Sequence, residues 1–213
     1  MKGSAMMSIG KPSESSGGRS PAPLDQLIKL ESEATQIFLN QPLFVPGLLQ
    51  VTGYATEMIS RITGLAPGSP ELAEQVKTRM KRAEGFTKRS QGVSPPHLWA
   101  AIDEAVLRRT VGGATVMREQ LDHLVVMSKM DTVNLAVIPL SYGAHPGLAG
   151  SFEVHERAGG DATVFIEGVY ADEVVVGDQA LAQLHTEKVK ALFASAVSGA
   201  EAQELLEGIA GTL

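Results

Sequence analysis

The chain contains no cysteine, which excludes disulfides, thiolate metal centres and cysteine nucleophiles and suits a reducing cytoplasm. Long apolar runs are also missing: none approaches the roughly 18 residues that span a bilayer, and no apolar core follows Lys2. Neither a membrane helix nor a secretory signal is therefore expected, and the protein is read as cytoplasmic. An excess of basic residues is absent too. With 18 Lys and Arg against 24 Asp and Glu, the formal net charge is -6, which argues against a general binder of nucleic acid or anionic membrane. The signatures GxSxG, GxGxxG behind a strand, GxxxxGK(S/T) and HExxH do not occur, so no common cofactor is assigned. What is present is 213 residues, 44% of them apolar, enough for one domain with a real core plus an extension.

Residues 1–24 are rich in Ser, Gly, Pro and Met without an apolar period. They cannot offset their ordering entropy and are expected to form a disordered tail ahead of one domain over 25–213. Asp25 is placed to cap a helix in which Leu27, Leu30, Ala34, Ile37 and Phe38 recur at helical spacing, ended by Asn40 to Pro42. Pro46 opens a second helix with Leu48, Leu49, Tyr54, Ala55, Met58 and Ile59 on its apolar face. Ser69, Pro70 and Glu71 start a third, with Leu72, Val76, Met80, Ala83 and Phe86 on its stripe. Its basic residues Lys77, Arg79, Lys81, Arg82, Lys88 and Arg89 read as a solvated face balanced by Glu71, Glu74 and Glu84.

Leu98 to Leu107 leans towards a strand, a helix follows through Leu121, Leu124 and Val125, and Val133 to Leu140 reads as a second strand, which favours a parallel crossover. Ser151 to His155 and Thr163 to Glu167 alternate about a Gly159-Gly160-Asp161 turn and predict a hairpin. Glu173 to Val176 adds a short strand. Asp178 caps a helix carrying Leu181, Leu184, Val189, Leu192 and Phe193, and Ser198 with Glu201 reads as a capping box for a last one. The fold class is α+β, with N-terminal helices, a small mixed curved sheet of about four to five strands and two C-terminal helices.

Glu104 with Arg108 or Arg109 forms a carboxylate–guanidinium group near the Gly112-Gly113 turn, read as a simple ion pair or the lining of a polar pocket. Gln120 and His123 share the following helix. His145 lies in the glycine-rich loop SYGAHPGLAGSF, whose position between two strands suits a pocket lid. Tyr54 combines a core ring with a hydroxyl that meets either a ligand or a carbonyl, while Gln50 is placed to satisfy backbone groups at the Pro46 turn. A strand would set Glu153 and His155 on one face as two metal ligands, but no third arrives at diagnostic spacing, so no metal is assigned. Outward alternation on a hairpin explains the pair equally well.

Linked motifs add a resemblance. Leu30-Glu31, Ala34 and Ile37, then VPGLLQ at 45–50, Tyr54-Ala55, Arg79 and Arg82, IDEAVLRRTVGG at 102–113, VMREQLDHL at 116–124, VNLAVIPL at 133–140 and GAHPGLAGSFEV at 143–154 occur in one order. In that order the chain resembles the C-terminal effector domain of actinobacterial XRE-type regulators, WhiJ-like and antitoxin-like, a domain-of-unknown-function family, over about Leu27 to Leu206. Ala83 departs from the family's usual glutamine and Val51 from its usual threonine. In such regulators an N-terminal helix-turn-helix part reads DNA and this domain receives a signal or a small partner protein; the residues ahead of Asp25 are too few for that reader.

The resemblance implies a small-molecule-binding or protein-interaction module whose partner is a ligand or a small regulator protein. Tyr54, Glu104, Arg108, Gln120, His145 and Phe152 are its candidate ligand contacts. A homodimer is a further option, while a membrane, and DNA binding by this chain alone, are not expected. The alternative is a cofactor-independent enzyme of specialised metabolism, performing a cyclisation, isomerisation or group transfer in the same pocket with Glu104, Arg108 and His145. Convergence of the six candidates on one cavity would favour a ligand or active site, and dispersal a protein surface.

Overall fold

A computed structural model describes residues 23–168 and 171–213; residues 1–22, most of the expected tail, lie outside them. The described residues form a mixed α/β fold of seven α-helices and one open seven-stranded sheet, larger than the four to five strands expected. The strand order is β6-β5-β4-β1-β2-β3-β7.

The first helix is shorter than its sequence spacing predicts. α1 covers Pro23–Glu33, and the chain then extends into β1, Gln36–Gln41. Ile37 and Phe38 therefore belong to a strand. The reason is burial on both sides: Ile37 and Leu39 enter one core cluster and Phe38 the other, and a strand covered on both faces shows a continuous apolar run instead of an alternation. The second expected helix is also divided. Gly47–Leu49 make one 3-10 turn, Gln50 and Val51 are extended, and α2 runs over Thr52–Thr63, closed by Gly64 in the left-handed region at φ 73°.

α3, Pro70–Ser90, starts at the capping serine Ser69, whose hydroxyl accepts from the Leu72 amide. β2, His97–Asp103, passes directly into the short α4, Glu104–Arg108, because the Asp103 carboxylate accepts from the Ala105 amide at 2.7 Å. α5, Ala114–Met127, leads to β3, Val133–Ile138, and β1, β2 and β3 are mutually parallel.

After β3 the chain returns to the opposite flank of β1. β4, Phe152–Glu156, pairs antiparallel with β1 and with β5, Ala162–Ile166, giving the expected hairpin, and β6, Glu173–Val176, extends it. α6, Gln179–Phe193, is capped by Asp178 and packs on the Phe38, Phe152 and Val154 face. It buries Ala182 and Thr186 while Leu184 stays exposed. The capping box at Ser198 does not form: Ser198 makes no side-chain cap bond and instead pairs with Ala136 in the two-residue strand β7, Val197–Ser198, before α7, Gly199–Ala210. α5 and α7 cover the other face with the Leu48-Leu49 turn. Among the described residues no helix is long and apolar enough to cross a membrane.

Candidate functional site

The most charged interior region lies between α3 and the β1–β4–β5 part of the sheet, and its arginines come from the stripe of α3 that faces the core. Arg79 is three residues from Val76, and Arg82 and Arg89 are four before and three after Phe86, positions that share a helical face. The basic residues of α3 are therefore not one solvated face. Arg82 donates twice to Glu31 of α1, Nε to Oε2 at 2.8 Å and NH2 to Oε1 at 2.6 Å, with both side chains less than a tenth exposed. Burial pulls the Arg82 pKa down, but the Glu31 bonds and charge outweigh it and raise it. Arg79 donates to Gln50 Oε1 at 3.1 Å, and burial together with Arg82 lowers its pKa against the pull of Glu167, Glu153 and Glu31.

The hairpin supplies the acids. Glu153 and His155 alternate onto the face opposite Phe152 and Val154, as their spacing predicts, yet that face is covered and both are buried. This corrects their reading as an outward, solvated pair. Their side chains stand 3.0 Å apart, though the contact falls short of hydrogen-bond geometry. Burial pushes the Glu153 carboxyl up, but His155, Arg82 and Arg79 together hold it below the usual carboxylate range. Glu167, at the end of β5, is pushed up to about 7 by burial and by Glu153, against the opposing effects of Gln41, Arg79 and Ser151. Gln41 of β1 donates to Glu167 Oε2 at 3.2 Å. Gln41 Oε1 and His155 Nδ1 are buried without a hydrogen-bond partner among the described residues.

A second polar cluster closes the carboxyl ends of the three parallel strands, the general position of sites in open α/β sheets. His145 Nε2 lies 2.9 Å from Asp103 Oδ2. Asn40 donates to the carbonyls of Gly147 at 2.7 Å and Gly150 at 2.9 Å, so the loop over 139–150 is tied to β1 and β2. Glu104 accepts from Arg108 at 2.6 Å and from the Leu140 amide at 2.8 Å, an ion pair that also anchors the loop.

The six expected contacts fall into three places. Glu104, Arg108 and His145 gather at this loop. Tyr54 and Gln120 meet at the Leu48-Leu49 turn as structural clamps: the Tyr54 hydroxyl accepts from the Val45 amide at 3.1 Å, and Gln120 donates to Leu49 O at 2.7 Å while accepting from the Val51 amide at 2.9 Å. Gln50 satisfies Val45 O at 2.7 Å, as its position predicted. Phe152 lies on the opposite face, edge-on to His185 at 4.6 Å. Arg79 and Glu167 were not among the candidates, and Glu153 was weighed only as a metal ligand with His155. The register of Arg79 with Val76 and of Arg82 with Phe86 was the available signal; Glu167 had none, because its environment is assembled from β1 and β4. Among the described residues no group of three or more acidic or histidine side chains is placed to hold a metal ion.

An open mixed-sheet α/β domain with an ionised interior is thus the class that fold and site define. The chain belongs to the family described as domain of unknown function DUF5753, whose model matches residues 24–208. No curated protein and no solved structure matches it.

Proposed function

We propose that this domain is a small-molecule-binding module whose ligand engages the ion network between α3 and the β4–β5 hairpin. The observation that carries the reading is Glu167, a partly exposed carboxyl with its pKa at about 7 beside the buried, unpartnered Gln41 Oε1 and the buried Glu153–His155 pair, whose His155 Nδ1 has no partner among the described residues. Buried polar groups without partners cost stability, and such arrangements gather at functional sites. A polar ligand that donates to Gln41 and Glu167 and accepts from Arg79 would complete the set. The resemblance to XRE-type effector domains supports a regulatory use, in which the occupied domain signals to a small partner protein.

Thermal-shift screening at pH 7 against amino acids, sugars, nucleosides and dicarboxylates tests this. Hits confirmed by calorimetry should lose at least tenfold affinity in both Arg79→Met and Glu167→Ala. No hit across the panel, or hits indifferent to both substitutions, would count against it.

Glu167 also favours a second reading, the cofactor-independent enzyme of a specialised-metabolite pathway. A carboxyl near 7 is suited to general acid–base transfer in a cyclisation, isomerisation or group transfer. Turnover of a bound compound by the wild type, lost in Glu167→Gln with binding retained, distinguishes catalysis from sensing.

A further inference from the structure

A cleft of about 360 Å³ separates α1 from α3 on the outer side of the Glu31–Arg82 pair, lined among others by Ile28, Gly85, Phe86, Lys81 and Arg89. That volume is at the small end of the ~300–1,000 Å³ range of ligand pockets. Its walls are chemically two-sided. Ile28 and Phe86 present apolar surface beside bare backbone at Gly85. Glu31 and Arg82 cancel each other, which leaves two cations without an acidic partner. Lys81 is exposed and makes no ion pair among the described residues. Among the described residues Arg89 donates only to carbonyls, those of Glu31 and Ala34, the latter at 2.6 Å, so it closes the end of α1 without an acidic partner there.

Gly85 gives an independent indication. Glycine in a helix interior disfavours the helix relative to alanine, and sterics do not require it here: a Cβ built on Gly85 meets no atom within 4 Å. The residue that weakens α3 is the one that keeps the cleft wall bare.

From this geometry we infer that the α1–α3 cleft is a binding site for an amphipathic monoanion of the medium-chain carboxylate class, with its chain against Ile28, Gly85 and Phe86 and its carboxylate on Lys81, one turn before Gly85 on α3. The site abuts the ion network at Glu31 and Arg82 but contains none of Glu167, Glu153, Gln41 and His155, and it stands whether or not that network binds a ligand.

Decanoate is the probe, with 1-decanol as its uncharged counterpart, measured by isothermal titration calorimetry on the full chain. The wild type should bind decanoate saturably at one site and decanol at least tenfold more weakly. Gly85→Phe should abolish binding by filling the cleft, Lys81→Glu should weaken it at least tenfold, and Glu167→Gln should leave it unchanged. Lys81 is exposed, so its variant keeps the fold even if the Gly85→Phe helix packs poorly. Absence of saturable decanoate binding, equal binding of decanol, or unchanged affinity in Lys81→Glu overturns the assignment.

Discussion

Arg82 and Glu31 form a two-pronged ion pair, at 2.8 and 2.6 Å, that ties α1 to the core-facing stripe of α3. With both side chains buried, the pair cannot fall back on water when one member is lost. Glu31→Gln or Arg82→Met alone should cost about 3–5 kcal/mol, whereas the double replacement Glu31→Leu with Arg82→Met should recover most of it. Urea denaturation of the four proteins as a double-mutant cycle measures the coupling; additive losses would show that the two side chains act independently.

Glu167 sets a pH dependence. Its folded pKa of about 7 lies above the ordinary 4.5, so between these values the folded state holds a proton that the unfolded chain has released. Stability from this group is present below pH 4.5 and is lost as pH rises through 7. At about 1.4 kcal/mol per pKa unit, the loss is of order 3 kcal/mol. Glu167→Gln should flatten the stability profile over this window and stabilise the protein at pH 8, read by thermal melts at closely spaced pH values. A variant with the same slope as the wild type would refute this.

Gln120 fastens two separate elements. One side chain serves Leu49 O and the Val51 amide from the middle of α5. Gln120→Leu should strand both backbone groups and destabilise the fold by about 2–6 kcal/mol, at roughly 1–3 kcal/mol for each unsatisfied group. Tyr54→Phe removes only one neutral acceptor, for the Val45 amide, and should cost about 1 kcal/mol. Chemical denaturation of the two variants should reproduce that order.

His145 holds the loop over 139–150 through Asp103. His145→Phe should speed hydrogen exchange at the Leu148 and Gly150 amides, whose bonds are internal to the loop, while Val133–Ile138 of β3 keeps its protection. Gly147→Ala should act similarly, because a Cβ there would stand 2.5 Å from Asn40 Oδ1.

Local chemistry was legible in the sequence, and cover was not. The Ser69 cap, the β4–β5 hairpin, the parallel β2–β3 crossover and the Asp178 cap each depend on residues close in the chain, and each forms where the spacing places it. The misread elements depend on what lies above them. β1 passed for helix because both of its faces are covered. Glu153 and His155 passed for solvated residues because nothing in the hairpin tells that α3 will bring two arginines to that face. The same holds for the candidate contacts: Glu104, Arg108 and His145 lie together at the loop over 139–150, while Tyr54 and Gln120 have their polar atoms taken up by backbone groups.

The strand β1 joins partners of different origin, parallel β2 from the next part of the chain and antiparallel β4 from far beyond it, with Gln36 opposite Glu156. Closing so long a loop carries a large entropic barrier, so the β1–β4 ladder should be among the last pairings made as the chain folds. Glu153 and Glu167 reach Arg79 and Arg82 only when that seam closes. The ionic interior is therefore a record of completed folding: a chain stalled with its hairpin undocked would leave Arg79 desolvated without Glu153 and Glu167, while Arg82 kept only Glu31, and would be poised to reopen rather than to persist.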